Sequence, residues 1–199
     1  MARILIALLL LPLIGCTTTL NSTWVEPERV GKPIQKVLVV GIAESEGQRR
    51  VFEDLFCSRL AQAGPQAQPS YRVLAADKPP TRDNVDAALA GTDFDSVFVT
   101  SYVRTDREMV YTEPMSPYYA PGGYYWDRHY SWYYGAVTTP GYWSEVTTVI
   151  LENNLYETAT GRLIWSAESE SFNPSSAEEI VRTLADQVLM ELRAKRLLP

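Results

Sequence analysis

The stretch Val37-Leu38-Val39-Val40-Gly41-Ile42 decides the fold class of this chain. It is a continuous apolar run of strand length, a pattern typical of a strand that is buried on both faces. A helix is predicted directly after it, over residues 48–63, and Gly64-Pro65 ends that helix. The apolar positions of the helix form one amphipathic stripe: Phe52, Leu55, Phe56, Leu60 and Ala63.

Further elements follow along the chain. Strands are predicted at 71–74, 96–111, 144–157 and 162–167, with a turn at 157–161. Helices are predicted at 82–90, with Thr81 as N-cap, and at 176–196, where Ser176 and Glu179 form a capping box. The order β-α-β-α-β-β-β-α predicts an α+β fold, an α/β two-layer sandwich. It has a mixed sheet of about five strands with the helices on one face.

The amino terminus has the features of an export signal. Arg3 is followed by an apolar run over residues 4–14, which is shorter than the about 20 residues that span a bilayer. The run ends Leu13-Ile14-Gly15-Cys16, which resembles the lipobox of bacterial lipoproteins. The resemblance implies a signal peptide at 1–15 and acyl chains on Cys16. The alternative is an ordinary signal peptide with a cysteine here by chance.

The residues after the predicted signal peptide fall into two segments. We expect a lipidated tether at 16–35 and a single domain at 36–199. More than one acyl chain gives stable membrane anchoring without any help from the protein surface. Thr17 stands where enterobacterial lipoproteins retained in the inner membrane carry aspartate. By that resemblance we expect attachment to the outer membrane, with the domain facing the periplasm.

Charge and the scarcity of cysteine and histidine exclude several function classes. A net charge of −6 gives no electrostatic attraction to nucleic acid. With Cys16 acylated, Cys57 has no partner for an internal disulfide, and we expect it to be buried. His129 is the only histidine, so neither a metal site nor a Cys57–His129 nucleophilic pair is favoured. The sequence therefore predicts no catalytic residues and no cofactor.

An aromatic insertion at 112–143 separates two strands that should pair, where a hairpin needs only two to five residues. Tyrosine and tryptophan give much contact area for few rotatable bonds. The insertion is therefore compatible with contact to a protein, to peptidoglycan or another sugar, or to the bilayer interface. It is equally compatible with a loop that only covers the sheet. The candidate recognition residues are Trp126, Tyr130, Trp132, Tyr133 and Trp143.

Several segments together resemble a family of small proteobacterial lipoproteins of unknown function. The most specific is the predicted hairpin Leu155–Trp165, joined by Trp24, Arg49–Glu53 and the Tyr/Gly/Pro-rich insertion. The layout is also similar to the amino-terminal domain of the TolB translocation protein and to curli-secretion lipoproteins. These resemblances imply a role in envelope assembly or protein contact.

We therefore expect a non-catalytic binding or assembly module. Its membrane contact is made through acyl chains on Cys16, and its possible partner is an envelope protein or peptidoglycan. Two alternatives stay open. One is a cell-wall-modifying or other envelope hydrolase, and the other is a purely structural lipoprotein.

The anchor gives a first prediction. Cys16→Ser removes the only sulfur that can carry the thioether, so this variant should accumulate as an uncleaved or unlipidated form. Mass spectrometry of the wild-type amino terminus should show a modified Cys16. An unmodified mature chain that begins at another residue would contradict the prediction.

Overall fold

The structure, a computed structural model, describes residues 18–75, 78–113 and 141–199. The predicted α+β class is confirmed: the elements in these described residues form one mixed sheet and three α-helices. The strands are β1 (Thr18–Val25), β2 (Lys36–Ile42), β3 (Gln66–Pro69), β4 (Ser96–Thr112), β5 (Tyr142–Glu157) and β6 (Leu163–Phe172). The helices are α1 (Glu46–Gln62), α2 (Arg82–Leu89) and α3 (Ala177–Ala194).

The sheet has the strand order β1-β6-β5-β4-β2-β3. Strand β2 pairs in parallel with β3 and β4, and the remaining pairs are antiparallel. The β4-β5-β6 meander was predicted, and β2 is buried from Val37 to Val40, as its apolar run indicates. Gly41 is required near the end of β2, because a Cβ there would lie 2.8 Å from Cδ1 of Phe52.

The two long helices cover one face of the sheet, as predicted, and enclose the main core. Phe56 stacks on Phe98 with ring centroids 4.4 Å apart, and Phe98 stacks on the fully buried Trp165 at 6.4 Å. Helix α3 lies where a helix was predicted and contributes an apolar stripe, with Val181, Leu184, Val188 and Leu192 buried. Its N-cap is Ser176, whose hydroxyl accepts a hydrogen bond from the Glu179 N–H at 3.1 Å.

The short helix α2 belongs to a second, smaller cluster. Its residues Val85 and Leu89 pack with Leu38 and Val40 of β2. These are the alternate residues of that strand, so α2 lies over the sheet face opposite α1 and α3. Its N-cap is the predicted one, Thr81.

The predictions for two segments of the chain were wrong. Residues 18–35 were expected to be a tether, but Thr18–Val25 form an edge strand paired with β6. The segment between β1 and β2 is also fixed, since the Ile34 N–H donates to the Leu197 carbonyl at 2.9 Å. The sheet accordingly has six strands rather than five. The strand predicted at 71–74 lies at 66–69 instead, followed by a turn of 3-10 helix at Ser70–Arg72.

Strands β4 and β5 extend beyond their neighbours. Strand β2 accompanies β4 only as far as Ser101, and β6 accompanies β5 only from Thr148 onward. Residues 107–112 and 142–147 consequently form a two-stranded ribbon, here called the arm, whose strands pair only with each other within the described residues. The arm includes both ends of the predicted insertion 112–143, and residues 114–140 of that insertion lie outside the described residues. No helix in the described part of the chain is both long and apolar enough to cross a bilayer.

Candidate functional site

The arm carries a cluster of exposed aromatic and apolar side chains on one face. Tyr111 and Trp143 are directly opposite in the β4–β5 register, and their ring centroids are 5.0 Å apart. Met109 lies on the same face because it is two residues from Tyr111. Trp143 is 63% exposed and Met109 60% exposed. Of the predicted recognition residues, Trp143 is therefore placed on the surface of a strand.

Ion pairs accompany this cluster. The Arg107 guanidinium lies 3.8 Å from the Glu145 carboxylate on the other strand of the arm. At the base of the arm, Arg104 and Asp106 form a second pair at 3.0 Å. Both pairs are exposed, so their net effect on stability is small. They do offset much of the charge beside the aromatic rings, which leaves a surface that can contact apolar and polar groups together.

The remaining predicted site residues lie outside the described part of the chain. They are the lipid-attachment residue Cys16 and the loop residues Trp126, Tyr130, Trp132 and Tyr133. His129 lies there as well. The described residues therefore define only the base of the aromatic insertion.

Cys57 has the environment of a core residue. It is 7% exposed, and burial, followed by the Glu53 and Asp54 carboxylates, raises the pKa of its thiol to about 12. The thiolate is the reactive form of cysteine, and at neutral pH this thiol is almost fully protonated. Within residues 18–75, 78–113 and 141–199, no three His, Cys, Asp or Glu side chains are grouped in a way that could hold a metal ion.

Glu53 is a fully buried carboxylate that the sequence interpretation missed. Its Oε1 accepts hydrogen bonds from the Gly41 N–H at 3.0 Å and the Ser70 hydroxyl at 2.6 Å. Its Oε2 accepts one from the Tyr71 N–H at 3.2 Å. This side chain joins α1 to the end of β2 and to the turn after β3. It explains the turn at Ser70–Arg72, which overlaps the strand that was predicted at 71–74. Glu53 precedes Phe56 by three residues and Leu60 by seven. This helical spacing places Glu53 on the same face of α1 as these apolar residues, and it was the signal in the sequence that Glu53 is buried.

A partly open cavity of about 430 Å³ lies between α2 and the sheet. Its walls include Val40, Leu89 and Val97, and the Arg82–Asp86 ion pair, at 3.6 Å, lies among its lining residues. Tyr156 also lines it, and burial, with a smaller contribution from the Glu152 carboxylate, raises the pKa of this tyrosine. The volume is within the range of small-molecule sites. No pattern in the sequence indicates this cavity, because it depends on how α2 is placed over the sheet.

The chain was compared with protein families, curated proteins and solved structures. No protein-family model matches the chain, and a search of curated proteins gave no match. The PelC dodecamer from Paraburkholderia phytofirmans is 10% identical, with 92% of this chain and 100% of that chain covered and a TM-score of 0.48. Lipoprotein GNA1162 from Neisseria meningitidis is 15% identical, with 80% and 99% covered and a TM-score of 0.43. At these values the likenesses concern the course of the backbone alone.

The Glu53 contacts give the second prediction. Glu53→Ala leaves two buried donors and one part-buried donor without their acceptor, and hydrogen bonds to a charged group contribute about 1.5–3 kcal/mol each. We expect a loss of about 3 kcal/mol or more in the free energy of unfolding, measured by urea denaturation. The exposed residue Glu44 provides the control. Glu44→Ala should change the unfolding free energy by less than about 0.5 kcal/mol. Equal effects in the two variants would contradict the assigned role of Glu53.

Proposed function

We propose that this chain is a lipid-anchored, non-catalytic binding module of the bacterial envelope, and that the arm is its contact surface. The observation that carries the proposal is the exposed face of the arm, where Met109, Tyr111 and Trp143 lie together. The export signal and the lipobox-like end of residues 1–16 support the location, attached to the outer membrane and facing the periplasm.

The chemistry of the arm favours contact over catalysis. Tryptophan and tyrosine are enriched at the residues that contribute most to binding energy. The arm continues two strands of the central sheet, so a stable scaffold determines where these rings lie. Beyond Ser101, β4 has no second strand beside it in the described residues, which leaves backbone groups available to a partner.

The state of Cys57 also supports a non-catalytic role. Among the described residues it is the only cysteine, and its buried, protonated thiol is a poor nucleophile. This removes the nucleophile from the Cys57–His129 pair that an enzyme of this sequence could use. A hydrolase would need another nucleophile.

The test uses the full-length lipoprotein, captured from detergent-solubilised membranes with its bound partners. Tyr111→Ala and Trp143→Ala are combined in one variant. Both side chains are exposed, so the melting temperature should change little, while at least one envelope component captured by the wild type should be lost. Truncating one contact residue of this kind can cost about 2 kcal/mol of binding, roughly a thirtyfold loss of affinity.

Trp24→Ala is the matched control, because Trp24 is 44% exposed and lies on β1, away from the arm. It should retain every captured component. If the double variant folds and also retains all of them, the contact surface lies elsewhere. If it unfolds, the two rings serve stability and the proposed role of the arm is wrong.

A further inference from the structure

The folded domain is held from Thr18 onward. Thr18 is 4% exposed, and its hydroxyl is hydrogen-bonded to the Ser171 hydroxyl at 2.8 Å and to the Thr183 hydroxyl at 2.6 Å. Ser171 belongs to β6 and Thr183 to α3, so sheet and helix together fix the first residue of β1. Only Thr17 separates this fixed residue from Cys16.

The arm leaves the sheet at the same end as the start of β1. Thr18 pairs with Ser171, and Ser171 pairs with Val149 of β5. Strands β1 and β5 both run antiparallel to β6, so they run in the same direction as each other. The residues that precede Thr18 and those that precede Val149 therefore emerge from one end of the sheet. The first group leads to Cys16, and the second is the β5 strand of the arm.

Chain lengths then relate the arm to the anchor. The Cα of Cys16 lies at most about 7 Å from the Cα of Thr18, since they are two residue steps apart along the chain. Tyr142 precedes Val149 by seven residues in a strand, which corresponds to about 23 Å. The arm accordingly extends further from this end of the sheet than a lipid-bearing Cys16 can.

We propose that the arm lies in the headgroup region of the bilayer that holds the acyl chains of Cys16, with Met109, Tyr111 and Trp143 in contact with lipid. This inference rests on the proposed lipid anchoring and names the phospholipid surface as one partner of the same arm. Tryptophan and tyrosine are enriched at membrane–water interfaces, where their rings contact acyl chains and their polar atoms reach water.

The charge of the arm indicates which kind of lipid surface fits. Arg107 pairs with Glu145 and Arg104 with Asp106, so the described residues of the arm and its base present no cluster of free cations to anionic headgroups. The whole chain is acidic, with a net charge of −6. Contact through aromatic and apolar groups therefore predicts that the arm binds zwitterionic lipid and that this binding changes little with salt concentration. The binding of a polybasic segment to anionic lipid would weaken as salt is added.

Two methionines provide a matched pair of probe positions. Met109 is 60% exposed on the arm, and Met190 is 61% exposed on α3. Met190 lies seven residues beyond Thr183, about 10 Å further along the helix and away from the arm. Met109→Cys and Met190→Cys can each be labelled with nitrobenzoxadiazole in the full lipidated chain. Native Cys57 should stay unlabelled near neutral pH because it is buried, with a pKa of about 12.

Each labelled protein is reconstituted into phosphatidylcholine vesicles with or without brominated acyl chains, and flotation verifies attachment. We expect the label at position 109 to shift its emission to the blue and to be quenched several-fold by brominated lipid. The label at position 190 should show neither effect, and high salt should change neither result. Matching melting temperatures show that both variants fold.

Absence of quenching at position 109, or equal quenching at both positions, would overturn the proposal. So would a protein that does not float with the vesicles, because the anchor itself would then be missing. A different result would contradict the proposed function, namely a folded Tyr111/Trp143 double variant that retains every captured component. If position 109 is not quenched while the Tyr111/Trp143 double variant still loses its captured component, the arm binds a protein or sugar and not the lipid surface.

Discussion

The pairing of β1 with β6, fixed by the hydroxyl contacts of Thr18, determines where the predicted lipid site lies relative to the arm. Thr18 contacts both Ser171 and Thr183, so the first residue of β1 is tied to the sheet and to α3 at once. A buried hydroxyl without a partner would be costly, so these contacts also specify the register of the edge strand. Strand β1 thus starts two residues after the predicted lipid site, and the arm leaves the sheet from the same end.

Most of the fold could be predicted from local patterns, and the largest error came from the edge strand. The apolar run of β2 and the apolar stripes of α1 and α3 can be recognised in the sequence, because burial determines at which positions apolar residues occur. Strand β1 has no such signal: its sequence is mostly polar, and only Leu20 and Val25 pack against the core. Its position depends on β6, which is distant in sequence, and a left-handed residue at Ser22 interrupts its register.

The candidate site was predicted only in part, for a related reason. Composition alone singled out the aromatic insertion, and Trp143 is indeed exposed on the arm. No comparable pattern in the sequence identifies the residues that position the site. Glu53 resembles any helix carboxylate until Gly41, Ser70 and Tyr71 are brought around it. The cavity beneath α2 likewise exists only after that helix is placed over the sheet. Contacts between distant segments determine both features.

Amide hydrogen exchange on the membrane-attached lipoprotein tests whether Thr18–Val25 form a strand of the sheet and not part of a tether. Amides of β1 that donate to β6 should exchange slowly, with protection close to that of β6 residues 163–172, because both strands belong to one hydrogen-bonded sheet. Exchange of residues 18–25 at the rate of an unstructured peptide would contradict the account, since the anchor would then be free to move away from the arm.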